Sequence, residues 1–260
     1  MTEAEQHENM AVEVVSADGD SKKQKHDIEN FIKEGKDLII VVPNVASDIR
    51  AIVEKAYDRG IPVIIVDRKT EGGKYTAFIG ADNEDIGKQV AECIAASANG
   101  QEVNVIELVG LEGSSPAVLR HDGFQAGAES HGNINLLATA NADWSEDEAE
   151  SIMTSLLIDH PKLDYVFAHN DRMAMGARKA IEKAGREKEV KIIGVDALAT
   201  DGGGVDQVIN GKFLATYKYP TGGAEAIKLA EEILMGKNYK KEVTLRATLV
   251  DSKNAKQMKK

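Results

Sequence analysis

Several polar side chains fall directly after apolar runs rich in β-branched residues. Asn44 follows Val41-Val42-Pro43, Asp67 and Arg68 follow the apolar residues 63–66, Asn170 and Asp171 follow Val166-Phe167-Ala168-His169, and Asp196 follows Ile192 through Val195. Arg120, on the helical stretch beyond the Gly110 loop, and Trp144, in Ala142-Asp143-Trp144, join this set. Open α/β sheets bind ligands outside the carboxyl ends of their strands, so a polar residue at such an end is a candidate ligand contact. The residue types suit carbohydrate. A sugar hydroxyl both donates and accepts, and carboxylate, amide and guanidinium groups meet neighbouring hydroxyls in pairs. An indole face covers the apolar C–H face of a sugar ring. Taken singly, each residue has a plainer reading as a helix cap or a surface charge, and Asp171 reads as an N-cap. The weight lies in their shared placement at strand ends.

The sequence patterns of α/β enzymes find no match. Gly110-Leu111-Glu112-Gly113-Ser114-Ser115 stands between a strand and a helix, where a phosphate loop would sit. It has neither the lysine of GxxxxGK[ST] nor the spacing of GxGxxG. Gly202-Gly203-Gly204 reads as a flexible connection, and there is no GxSxG nucleophile elbow. His7, His26, His121, His131, His160 and His169 fall into no HxxxH or HExxH spacing, so neither a metal site nor a cofactor is expected. A single cysteine, Cys93, rules out a disulfide framework and reads as a buried structural thiol. The net charge of −11 over 260 residues argues against a nucleic-acid surface, which needs clustered Lys and Arg. The one basic cluster, Lys253, Lys256, Lys259 and Lys260, reads as a solvated end or linker.

The elements that would position these residues follow from the rhythm of the chain. Short apolar runs at 37–42, 62–66, 103–109, 134–140, 165–168 and 190–195 alternate with amphipathic stretches of helical length. Continuously apolar strands alternating with helices predict an α/β fold of parallel sheets covered on both faces. Punctuation supports the helices: Ser21 before and Gly35 after the first, Ser47 and Gly60 around the second, a Ser145/Glu148 capping box, and Gly185 closing the helix that starts near Asp171. No apolar stretch approaches the ~18 residues of a membrane span, and residues 1–6 have neither the basic nor the apolar region of a signal peptide. That fits a cytoplasmic protein, or an exported one without its leader. No Pro-, Gly- or Ser-rich linker interrupts the chain. Periodicity leaves open one large doubly wound domain or two lobes joined directly.

A family resemblance decides between them. Asp67-Arg68 closing an apolar strand, Gly113-Ser114-Ser115 through Arg120-His121-Asp122-Gly123-Phe124, Ala142-Asp143-Trp144, Phe167-Ala168-His169-Asn170-Asp171-Arg172-Met173-Ala174 and Gly194-Val195-Asp196 occur in one order. In that order the chain from about Val12 to Val250 resembles the ribose/galactose-type sugar-binding proteins of the type I periplasmic fold. Residues 16–24 and 251–255 resemble more narrowly the periplasmic sensor domain of Bacteroides-type hybrid two-component histidine kinases, fructose sensors included.

The resemblance implies two doubly wound parallel-sheet lobes, 1–81 with 219–245 and 82–218 with 246–260, joined by crossing strands that act as a hinge. It implies a pentose- or hexose-size sugar in the cleft between them, no enzymatic activity, and a periplasmic location with the leader absent. Asp67 and Arg68 would contribute from the first lobe, and Arg120, Trp144, Asn170 and Asp196 from the second. Lys218 stands where ribose binders have a glutamine, a departure that weighs against ribose because an ammonium cannot accept. The full-length partners implied are a membrane helix and a histidine kinase, with a homodimer left open. The family also opens with a central strand and a sugar-contacting loop, and this chain is expected to begin inside the helix that follows them. Residues 1–10 would match the end of that helix, leaving the N-terminal lobe without its first strand and the chain some thirty residues short. Two alternatives stand: the effector domain of a lactose-repressor-type regulator, and a sugar-active α/β enzyme.

Overall fold

The computed structural model of the protein describes residues 10–70 and 72–259. In chain order the first elements are α1 (Ser21–Glu34), β1 (Ile39–Val41), α2 (Ala46–Asp58), β2 (Val63–Val66), β3 (Ala77–Ala81), α3 (Asn83–Ala98), β4 (Val103–Val109), α4 (Ser115–His131) and β5 (Ile134–Asn141). There follow α5 (Glu146–Asp159), β6 (Tyr165–Ala168), α6 (Asp171–Lys183), β7 (Lys191–Ile193), α7 (Gly204–Ile209), β8 (Thr216–Lys218), α8 (Gly223–Leu234), β9 (Glu242–Leu245), β10 (Thr248–Val250) and α9 (Ala255–Met258). The chain divides into two compact units, Met1–Ala81 with Pro220–Leu245 and Asp82–Tyr219 with Arg246–Lys260.

The first unit is built on a four-stranded sheet of order β1-β2-β3-β9, parallel throughout. Every side chain of β2 is buried, as a parallel strand covered on both faces requires. Alternation along the strand sends Val63 and Ile65 to Ile28 and Ile32 of α1 and Ile49, Val53 and Ala56 of α2. Ile64 and Val66 go to the opposite face, against Ala226, Leu229 and Ala230 of α8. Strand β1 lies at one edge of the sheet among the described residues, and beside it a cavity of about 430 Å³ is lined by Met10, Val12, Phe31, Leu38, Ile40 and Leu234. The expected end of a first helix falls on residues 1–10, of which 1–9 lie outside the described residues and Met10 is not helical.

The second unit carries the parallel sheet β5-β4-β6-β7 and a small antiparallel pair, β8 with β10. Its core joins Ile106, Leu108, Val166 and Ala168 of the central strands to Met153 of α5 and to Met173, Ala177 and Ile181 of α6. Two glycines let α3 and α4 touch backbone to backbone. A Cβ on Gly87 would come within 2.2 Å of the Arg120 carbonyl oxygen, and one on Gly123 within 2.0 Å of that of Glu84. Cys93, on α3, is partly buried and burial pushes its thiol up, the condition of an unreactive thiol.

Three helix starts differ from the punctuation read in the sequence. Asp20, not Ser21, caps α1, its carboxylate accepting from the Lys22 and Lys23 amides. Helix α2 starts at Ala46 after Val45, which makes no side-chain cap, so Ser47 already lies inside it. Asn170, not Asp171, caps α6: its Oδ1 accepts from Met173 N–H at 2.8 Å. Ser145 does cap α5, accepting from the Glu148 amide at 3.3 Å. Strands β3, β8, β9 and β10 escaped the apolar pattern because they are short and mix Ala, Gly, Thr or charged residues among their apolar ones.

Candidate functional site

In the first unit Asp67 and Arg68 leave the end of β2. Asp67 donates its N–H to the Ile79 carbonyl at 2.9 Å, and the Arg68 guanidinium donates to the Asn44 carbonyl. Asn44 is held in turn by the oxygens of Gly19 and Ser21, reached by its Nδ2 at 2.6 and 3.1 Å. The strand-end residues of β1 and β2 are therefore tied into one cluster.

In the second unit the central group is Arg120, only 3% exposed although it carries a charge. Its Nε–H donates to Asn83 Oδ1 at 2.9 Å and one terminal nitrogen donates to the His169 carbonyl. The guanidinium carbon lies 5.6 Å from the ring centroid of Trp144 and 4.9 Å from that of Tyr219, where ring quadrupoles favour a cation. No carboxylate pairs with it among the described residues. Two of the five N–H groups of a guanidinium are thus occupied, which leaves donors for a ligand.

Trp144 packs its indole on Gly110, where an added Cβ would lie 2.1 Å from the ring. Its Nε1–H is buried without a partner among the described residues. Because phenylalanine keeps a ring and removes that unpaired donor, W144F is expected to cost the free protein less than about 1 kcal/mol. W144A opens a cavity and is expected to cost about 3–5 kcal/mol; denaturant titration of both variants checks the ordering.

Asn170 spends its side chain on the α6 cap and on the Trp144 carbonyl, reached by Nδ2 at 3.4 Å. Asp196 bridges to Lys218 across adjacent backbones, and its N–H donates to the Tyr217 carbonyl at 2.8 Å. Lys218 is exposed. Positive φ marks strand ends in both units: Asp67 in the first has φ of 69°, and Trp144 and Asp196 in the second have φ of 63° and 115°, conformations that L residues with side chains adopt at a cost.

Asp171 is fully buried beside these groups, accepting from Thr216 Oγ1 at 2.6 Å and Leu198 N–H at 2.8 Å. Burial outweighs those bonds and pushes its carboxyl up to about 7, the charge on Asp196 adding to the rise. A carboxyl raised in the fold stays protonated there while it ionises in the unfolded chain. Its contribution to stability is therefore greatest below the unfolded value and is lost as pH rises toward 7. D171N is expected to remove this component, so that its melting temperature falls less than that of the wild type between pH 5 and 8.

The sequence reading missed Asn83 and Tyr219. Asn83 follows β3, a strand too mixed in Ala and Gly to stand out as an apolar run, so its place at a strand end was not legible. Tyr219 had no signal, because a tyrosine beside a proline patterns as a surface residue.

Two α/β units between which the chain crosses repeatedly, with polar groups at the carboxyl ends of parallel strands, define a ligand-binding domain. The chain belongs to the periplasmic binding protein domain family, whose model matches residues 1–238. It is similar to the ribose import binding protein of Bacillus subtilis (strain 168), with 34% identity over 241 residues, 90% of this chain and 75% of that one. Among solved structures it is similar to the fructose-binding periplasmic domain of a hybrid two-component system, at TM-score 0.94 and 46% identity, covering 99% of this chain and 85% of that one. A solute-binding protein of an ABC transporter from Bacillus halodurans C-125, with bound myo-inositol, matches at TM-score 0.91 and 28% identity over 99% of this chain and 89% of that one. These are binding proteins, not enzymes. Among the described residues no helix is long and apolar enough to cross a membrane.

Proposed function

We propose that the protein binds a monosaccharide of pentose or hexose size and serves as the periplasmic sugar-sensing domain of a hybrid two-component histidine kinase. The observation that carries this reading is Arg120, a buried guanidinium beside two aromatic rings with donors to spare. Such a group grips adjacent hydroxyls bidentately while the rings accept the apolar face of the sugar. Trp144, Asn170, Asp196 and Lys218 are the remaining contacts on the second unit; Asp67 and Arg68 enter the proposal from the first on their residue pattern. The similarity to a fructose-binding sensor domain favours a sensor and a ketose. Lys218, a pure donor, favours a sugar that offers it an acceptor. A sugar that binds one arrangement of the units better than another shifts the population toward it, and that shift is the signal sent to the kinase.

A thermal-shift panel of fructose, ribose, xylose, arabinose, galactose and glucose tests the reading. A specific ligand at a hundredfold excess over its Kd stabilises by about 2.7 kcal/mol, a rise of several degrees. Fructose is expected to give the largest rise, and a panel in which no sugar moves the midpoint overturns the proposal.

A further inference from the structure

One buried titratable cluster plays no part in the site as described so far. Glu107 sits in the middle of β4 with no exposure at all, a position in a parallel strand that otherwise takes Val, Ile or Leu. A carboxylate there is kept only if its oxygens are satisfied. Both are. Oε1 accepts from His169 Nε2 at 2.9 Å, and Oε2 accepts from His121 Nδ1 at 2.7 Å and from Thr139 Oγ1 at 3.3 Å. Burial pushes the Glu107 carboxyl up, but the bonds from the two histidines outweigh it and hold the group below the ordinary glutamate value. Burial, opposed by Glu107, holds His169 below the ordinary histidine value, so the pair is a carboxylate and a neutral imidazole. The bonding assigns the Nε2–H tautomer to His169, with Nδ1 facing the Gly110 N–H at 3.5 Å.

The two histidines flank Arg120 in different ways. His121 is its chain neighbour on α4, and His169 is the residue whose carbonyl receives the guanidinium. His169 also precedes Asn170, the α6 cap. We propose that Glu107 is a positioning residue for the ligand-binding arginine: through its two oxygens it fixes the backbone on either side of the Arg120 guanidinium and holds that group in register for the sugar. The inference rests on the sugar-binding reading above and adds to it a residue that touches no ligand.

The test combines affinity with a measurement that needs no ligand. E107Q must present an amide N–H to one of two imidazole donors, so its sugar Kd is expected to rise at least tenfold. H121Q, at a partly exposed position, is expected to give a smaller rise and serves if E107Q fails to fold. Because Glu107 acts through Arg120, the factor lost on E107Q should shrink to near one in an R120K background. Equal factors in both backgrounds, or wild-type affinity in folded E107Q, overturn the proposal. In the sugar-free protein, ¹⁵N imidazole shifts should show neutral His169 with the proton on Nε2, and E107Q or H121Q should move the Arg120 Nε–H resonance. A His169 proton on Nδ1, or an unmoved arginine signal in both variants, overturns the clamp whether or not a sugar binds. A wild type that binds no sugar while showing these signals sinks only the sugar reading.

Discussion

Arg120→Ala is expected to weaken sugar binding by a hundredfold or more, about 2.7 kcal/mol, as read by calorimetric titration. The size follows from what the guanidinium does. It supplies charge-assisted donors from a site that is 3% exposed, where a lost partner leaves a desolvated hydroxyl unpaired at about 1–3 kcal/mol each. The free protein also suffers, because the Asn83 amide oxygen and the His169 carbonyl lose their donor. Arg120→Lys is not expected to rescue. An ammonium keeps the charge but has no planar fork to satisfy Asn83, His169 and two hydroxyls at once, and it stacks poorly beside Trp144 and Tyr219. If R120A retains affinity within a factor of three, with the same sugar preference, the arginine is not a ligand contact.

A large loss of stability is also expected from Gly123→Ala. Its Cβ would lie 2.0 Å from the Glu84 carbonyl oxygen and 2.8 Å from its carbonyl carbon. Both are backbone atoms of α3 and cannot swing aside as a side-chain tip could. The helices must separate or α4 must shift, and over-packing of this kind costs about 1–3 kcal/mol, more where the backbone is the obstacle. Denaturant unfolding should place G123A at or beyond the top of that range. A second consequence is functional. Helix α3 carries Asn83 and α4 carries Arg120, so separating them lengthens the 2.9 Å bond that aims the guanidinium. G123A should therefore lose sugar affinity even where it remains folded, although residue 123 is not among the proposed contacts. A variant as stable as the wild type would show that α3 and α4 part to admit the methyl group at no cost.

The parts of the fold that were legible in the sequence are those governed by local rules. The runs that became β2 and β6 are apolar throughout and that of β4 is apolar except at Asn104 and Glu107, and such a run between helices has few alternatives to a covered parallel strand. Helix ends at Gly35 and Gly185 were legible because a left-handed residue favours glycine, and both have φ near 70°. Starts were less so. Asp20 and Ser21, or Asn170 and Asp171, are each adjacent candidates for one cap, and only backbone geometry chooses between them.

The candidate site divides the same way. Residue type and position after a strand marked Asp67, Arg68, Asn170 and Asp196 as candidates, because where a strand ends is a local property, whereas Arg120 lies within α4 and Trp144 in the loop after β5. What each side chain touches was not legible. Asn83 meets Arg120 across 37 residues and Glu107 meets His169 across 62, and both pairings exist only because α3 packs on α4 and β4 lies beside β6. The sequence by itself determined an acidic α/β chain with no enzyme motif and with sugar-suited residues at its strand ends. Tertiary structure alone decided that Arg120 is buried beside two aromatic rings with no carboxylate partner among the described residues, and that a glutamate inside a strand is held ionised by two histidines. Burial and long-range hydrogen bonds depend on which surfaces meet, and no spacing along the chain encodes that.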